Sequence, residues 1–228
     1  MGKIAGFDSW SGSCFPRICQ NEASWCGDRS GSYPPFPSIA HEISETPARQ
    51  RVISMNKEVC RRPDISEYHE YFANYIACVP DGDLFEQLDA QVDEVQNSLK
   101  NVSDEEASRL HPPYTWTVKQ VVGHLIDAEK LFGWRAHRFG CGDETPLPGM
   151  DQDPYVDAID YTQITLMQLV NELEFTRRSN TSFLRRLPAD AWDRKGTASG
   201  NSISVRALAW ILVGHINHHM EIVKNRLA

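Results

Sequence analysis

From residue 83 onward the apolar positions recur at helical rather than strand spacing. Leu84, Leu88, Val92, Val95 and Leu99 fall one turn apart and predict a helix over 83–100. Thr117-x-x-Gln120 reads as a capping box, and the helix it opens carries Val118, Val121, Leu125, Ala128 and Phe132 inward. A third helix is expected from Tyr155 to Leu187 through Val156, Ile159, Ile164, Leu169, Leu173 and Leu184, with Pro188 as its stop. Ser202 or Ser204 caps the last, whose stripe is Val205, Leu208, Leu212, His215, His219 and Ile222. Upstream, Asp64 caps an aromatic-rich helical run through Tyr68, Tyr71, Phe72, Tyr75 and Ile76, and Ser103 opens a short turn. His111-Pro112-Pro113 breaks regular structure, and 140–149 and 196–201 read as loops. No period-two alternation argues for a sheet, so the expectation is all-α, a four-helix bundle.

The first 62 residues are different in kind. They hold 5 Gly, 5 Pro and 9 Ser but no Leu; the first Leu of the chain is Leu84. With little aliphatic surface to offset ordering entropy, 1–62 is expected to be a largely disordered or irregular extension and 63–228 the domain. Met55 would serve as a start codon, which makes residues 1–54 a candidate gene-model artefact.

Charge follows the same boundary. Residues 1–62 carry 8 basic and 6 acidic side chains, leaving 15 basic and 25 acidic for the rest of a chain whose net charge is −8. That balance argues against a nucleic-acid partner and for a small molecule. No apolar run approaches membrane-spanning length, no signal-peptide pattern opens the chain, and Gly6 stands where myristoylation wants Ser or Thr. A cytoplasmic address with no membrane partner is expected. Cys14, Cys19, Cys26, Cys60, Cys78 and Cys141 lack metal-motif or disulfide-framework spacing and read as free thiols; Cys14, Cys19, Cys26 and His41 fit no compact zinc finger.

His215 and His219 lie one turn apart on the inward stripe of the last helix, about 40° apart in projection. His124 occupies the inward face of another helix, between Val121 and Ala128. Three imidazoles buried together need three separate partners, or one divalent cation. The metal ligands expected are therefore His124, His215 and His219. His218, rotated by about 100° from His219, points elsewhere.

Three segments then carry a resemblance. Thr115-Trp116-Thr117-x-x-x-Val121-x-Gly123-His124-Leu125-x-Asp127-Ala128-Glu129, the Gly142-Asp143-x-x-Pro146-Leu147-Pro148-Gly149-Met150-Asp151-Gln152-Asp153 loop, and Ala207-Leu208-Ala209-Trp210-x-x-x-Gly214-His215-x-x-His218-His219 resemble the DinB-like/YfiT-like superfamily over residues 66–228. The resemblance implies a four-helix bundle whose three histidines, here His124, His215 and His219, bind a divalent metal, with zinc or nickel expected. It also implies activity of one of several kinds: transfer of a low-molecular-weight thiol to an electrophile, thiol-dependent isomerisation, or metal-dependent hydrolysis. A non-catalytic, stress-related binding module with a structural metal is the remaining reading, and a homodimer is plausible for such bundles.

Other polar residues have simpler readings beside functional ones. Asp127 and Glu129 are the catalytic candidates, able to orient a ligand imidazole or accept a proton, although helix carboxylates are usually solvated. Asp143, Asp151 and Asp153 read as turn and cap residues near a cavity mouth. Trp116 and Trp210 read as core, and Arg135 and Arg138 as surface arginines that could attract an anionic thiol.

Overall fold

A computed structural model describes residues 59–227, so the expectations for residues 1–58, including the extension, Met55, Cys14, Cys19, Cys26 and His41, lie outside the described residues. The helices are α1 (Ala73–Ala77), α2 (Leu84–Leu99), α3 (Asp104–Ala107), α4 (Val118–Gly140), α5 (Gln152–Asp157), α6 (Leu166–Arg185) and α7 (Val205–Leu227). The four long ones form the expected bundle. Helices α2 and α4 each pack against both α6 and α7, while α1 lies on α7.

Local chemistry sets the ends of these helices. Asp83 Oδ1 accepts from the Phe85 and Glu86 amides at 2.8 and 3.1 Å and starts α2. Thr117 and Gln120 exchange hydrogen bonds at 3.2 and 2.9 Å to open α4, and Ser204 Oγ accepts from Ala207 N at 2.9 Å to open α7. Every residue from Val205 to Ile216 is buried, so the first half of α7 is the central post of the bundle rather than a one-sided stripe. The last four residues of the Leu-free segment already belong to the packed body. Cys60 is buried, its carbonyl accepts from Trp210 Nε1 at 3.1 Å, and Val59 O accepts from Arg206 Nε at 2.8 Å.

Three expected elements differ from those observed. The single helix expected after Asp64 is instead two 3-10 turns, Ile65–Glu67 and Glu70–Phe72, followed by α1. His69 interrupts it, because its backbone is extended and its Nδ1 caps the Tyr71 amide at 3.2 Å. The single helix expected over 155–187 is divided into α5, a 3-10 turn at Tyr161–Gln163, and α6. A second capping box, Thr165 with Gln168, satisfies the first donors of α6 and fixes its start. The polar segment expected as a loop is a hairpin of β1 (Lys195–Ala198) and β2 (Asn201–Ser204), paired from Lys195↔Ser204 to Ala198↔Asn201. Ser199 and Gly200, at φ 53° and 79°, form the two-residue primed turn that matches strand twist. Strands of four residues are too short to show an alternating pattern.

Candidate metal centre

The capping box at Thr117 places His124 on the inward face of α4, and α7 presents His215 and His219 to the same point. One ring nitrogen from each lies within 4.8 Å of those of the other two. His124 Nε2 and His215 Nε2 are 3.1 Å apart, and the ring centroids are separated by 5.0, 4.9 and 4.5 Å around the triangle. His124 and His215 are 3% and 5% exposed, and His219 is half-buried.

Burial decides their protonation. It pushes His124 down to about 4 and His215 well below the usual range. His219 falls to about 3, chiefly through burial, with His124, His218 and Arg226 adding repulsion. All three are neutral at pH 7. Among the described residues their one hydrogen bond is the mutual His124–His215 contact, with no carboxylate or carbonyl partner. Three neutral nitrogens that meet chiefly one another suit a divalent cation better than an empty polar core.

An aromatic wall surrounds the cluster. Tyr75 lies 5.1 Å from the His215 ring, Trp116 5.1 Å from His124, and Phe132 5.8 Å from His215. Trp116, read from sequence as core, in fact borders the site. Tyr75 reaches it because residue 214 is glycine: a Cβ there would overlap the Tyr75 carbonyl oxygen, so α1 can lie directly on α7. His218 stacks edge-on against Tyr75 at 5.3 Å, beside the three-nitrogen group and not in it.

The acidic candidates are placed differently. Both Glu129 oxygens accept from Arg177, from Nε and Nη2 at 2.8 Å each, and Oε1 also accepts from Asn180 Nδ2 at 3.0 Å. Three hydrogen bonds from α6 hold the Glu129 carboxylate in the bundle interior, outside the three-nitrogen group. Arg177 also donates to Gln91 Oε1 at 2.6 Å and Leu212 O at 2.7 Å, and Gln91 Nε2 donates to Asn217 Oδ1 at 2.6 Å. One polar network thus joins all four long helices. Sequence reading passed over Arg177 and Gln91, although both continue buried stripes: Arg177 follows Leu173 by four, and Gln91 follows Leu88 by three.

Asp127 is half-buried, and burial raises its carboxyl against the pull of Lys130. Near it, Tyr161 packs its hydroxyl on Gly123, where a Cβ would overlap it, and burial pushes that phenol up to about 12. Asp143 caps the Thr145 amide at 2.9 Å and pairs with Arg138, and Asp151 caps α5, as turn chemistry suggested. Trp210 is core, with Arg62 over its ring at 4.6 Å. Cys60, Cys78 and Cys141 are free thiols.

Fold and site together define a helical bundle in which three histidines from two helices converge on one point. Residues 87–223 match the model of the DinB superfamily, and the chain belongs to that family. Over 144 residues it is 24% identical to a protein of Oceanobacillus iheyensis named as a candidate metal-dependent hydrolase, covering 62% of this chain and 82% of that one. YfiT from Bacillus subtilis, described as a probable metal-dependent hydrolase with an unusual four-helix bundle topology, superposes with TM-score 0.56 at 20% identity, over 72% of this chain and 90% of that one. A mycothiol-dependent maleylpyruvate isomerase superposes with TM-score 0.52 at 16% identity, over 67% and 62%. Among the described residues, no helix is long and apolar enough to cross a membrane.

Proposed function

We propose that His124, His215 and His219 hold a divalent metal, zinc or nickel, and that the protein uses it to activate a low-molecular-weight thiol for transfer to an electrophilic small molecule. The convergence of three neutral imidazole nitrogens within 4.8 Å carries this reading. These three neutral ligands would leave a bound cation its full charge, and its Lewis acidity would lower the pKa of a thiol at the site toward neutrality. The aromatic wall of Tyr75, Trp116 and Phe132 lowers the local dielectric and excludes bulk water from the reacting group. The free thiols Cys60, Cys78 and Cys141 suit a reducing compartment, the cytoplasm.

The metal-dependent hydrolase names of two similar proteins support a second reading, hydrolysis of a small molecule at the same site. Thiol transfer is favoured by the absence of a carboxylate from the cluster among the described residues and by the engagement of Glu129 with Arg177. Hydrolysis gains from a general base to take the proton of water, whereas a thiol, much the stronger acid, would release its proton to solvent without one.

Metal analysis of untagged protein, set beside the His124→Ala, His215→Ala double variant, tests the site. About one ion per chain in the parent and none in the variant is the expected result, and equal content in both would sink it. Turnover of an electrophile with added thiol, abolished by chelator, is expected for transfer; chelator-sensitive turnover without thiol would select hydrolysis.

A further inference from the structure

Arg135 follows His124 by eleven residues on α4, so the two project within about 20° of one another three turns apart. It reads from sequence as a surface residue, yet it is only 2% exposed. Four cationic side chains are buried among the described residues: Lys119, Arg135, Arg177 and Arg206. Three of them hold a carboxylate, Lys119 with Asp104 at 3.2 Å, Arg177 with Glu129 at 2.8 Å and Arg206 with Glu67 at 2.7 Å. Arg135 has none.

What it does have is neutral and incomplete. Its Nη2 donates to Pro148 O at 2.8 Å and Ser199 Oγ at 3.0 Å, which ties the 143–150 loop to the hairpin turn. Its Nε is buried with no partner, and its hydrogen bonds among the described residues run from Nη2 alone. A guanidinium stays charged in proteins, and a buried charge without a counter-ion is costly even after relaxation. Pinning a loop through two neutral oxygens needs no positive charge at all, since an amide would serve.

The position of the charge relative to the histidines is informative. Phe132 lies between them, its ring centroid 6.0 Å from Arg135 Cζ and 5.8 Å from the His215 ring. Helical side chains lean toward the N-terminus, which carries the guanidinium of Arg135 back toward His124. The guanidinium and the histidine cluster thus flank one aromatic ring, a separation that a small molecule spans.

We propose that Arg135 is the anion-binding end of the substrate site, receiving the carboxylate of a small molecule whose reacting group lies at the three histidines. This rests on the metal-site reading above, and the carboxylate belongs either to the thiol or to its electrophilic partner. The charge-assisted hydrogen bonds left open at Nε and Nη1 predict a preference of at least about tenfold for an acid over its neutral amide.

The test uses full-length protein and two ligand pairs, hexanoate with hexanamide and mercaptohexanoate with mercaptohexanamide. Affinities are measured calorimetrically on metal-free and cobalt-loaded samples. In the parent protein the acid should bind at least about tenfold tighter than the amide. The preference should vanish in Arg135→Gln and return in part in Arg135→Lys, with the cobalt spectrum unchanged in both. A preference confined to the mercapto pair assigns the carboxylate to the thiol; one shown equally by hexanoate assigns it to the other reactant. Equal binding of acid and amide to the parent protein overturns the proposal, as does a preference that survives in Arg135→Gln. Should either variant fail to fold, the parent comparison still decides against the proposal or for it. Failure of the metal site shows separately, as absence of bound cobalt, and the metal-free arm still reads Arg135.

Discussion

Replacing Arg177 with Met probes the network that aligns the four long helices. Arg177 and Glu129 have side chains 1% exposed, and Arg177 makes four hydrogen bonds of 2.6–2.8 Å. Removing the guanidinium leaves the Glu129 carboxylate buried with Asn180 as its remaining side-chain donor, and strips Gln91 Oε1 and Leu212 O of theirs. Breaking a buried pair from one side costs about 3–5 kcal/mol. In a chain of this size each kcal/mol lowers Tm by about 2–4 °C, so a drop of roughly 6–20 °C is expected. Adding Glu129→Gln removes the stranded charge and should recover about 1–3 kcal/mol, the size of coupling expected for side chains in one network. Urea titrations of the metal-free single and double variants, followed by circular dichroism, measure the cycle. An Arg177→Met cost below about 1 kcal/mol, or strict additivity with Glu129→Gln, would refute the structural role given to this pair. Folded variants should still bind metal, because no member of the network is among the three histidines.

Four further outcomes are expected. Gly214→Ala gains about 1 kcal/mol of helix propensity but forces a methyl into the Tyr75 carbonyl, overpacking of about 1–3 kcal/mol; a urea midpoint that rises instead would contradict the close approach of α1 to α7. Metal-free protein should lose stability on acidification: His124 titrates near 6.5 when unfolded and at about 4 when folded, so its contribution is complete above 6.5 and is lost as pH falls from there through about 4. That one group accounts for roughly 3 kcal/mol, and a stability profile flat between pH 7 and 4 would tell against its burial as a neutral ring. Thr165→Ala should cost about 1 kcal/mol in thermal melts while leaving metal content unchanged, since the cap serves only the start of α6. Saturating metal at about 100 times Kd should add about 2.7 kcal/mol to stability, reversed by chelator and absent in His124→Ala; an equal shift in that variant would place the ion elsewhere.

Much of the fold was legible because helix periodicity and capping boxes act within a few residues. The stripes of α2 and α4, the box at Thr117 and the cap at Asp64 were readable in this way. The break between α5 and α6 was also written locally, in Thr165-x-x-Gln168, but a continuous apolar pattern on both sides masked it. The hairpin escaped because four-residue strands are shorter than the window in which alternation can be recognised.

The chain by itself determined that His215 and His219 share a face of α7 and that His124 faces inward on α4, since helical geometry alone places side chains on a face. Three-dimensional packing decided what those faces meet. It brought the three nitrogens within 4.8 Å, stood Tyr75 beside them through the gap left by Gly214, gave Glu129 to Arg177, and buried Arg135 without an acid. Periodicity states which way a side chain points, but its partner comes from another helix, tens of residues away. Only the tertiary fold therefore separates a charged residue that is solvated from one that is paired or left waiting for a ligand.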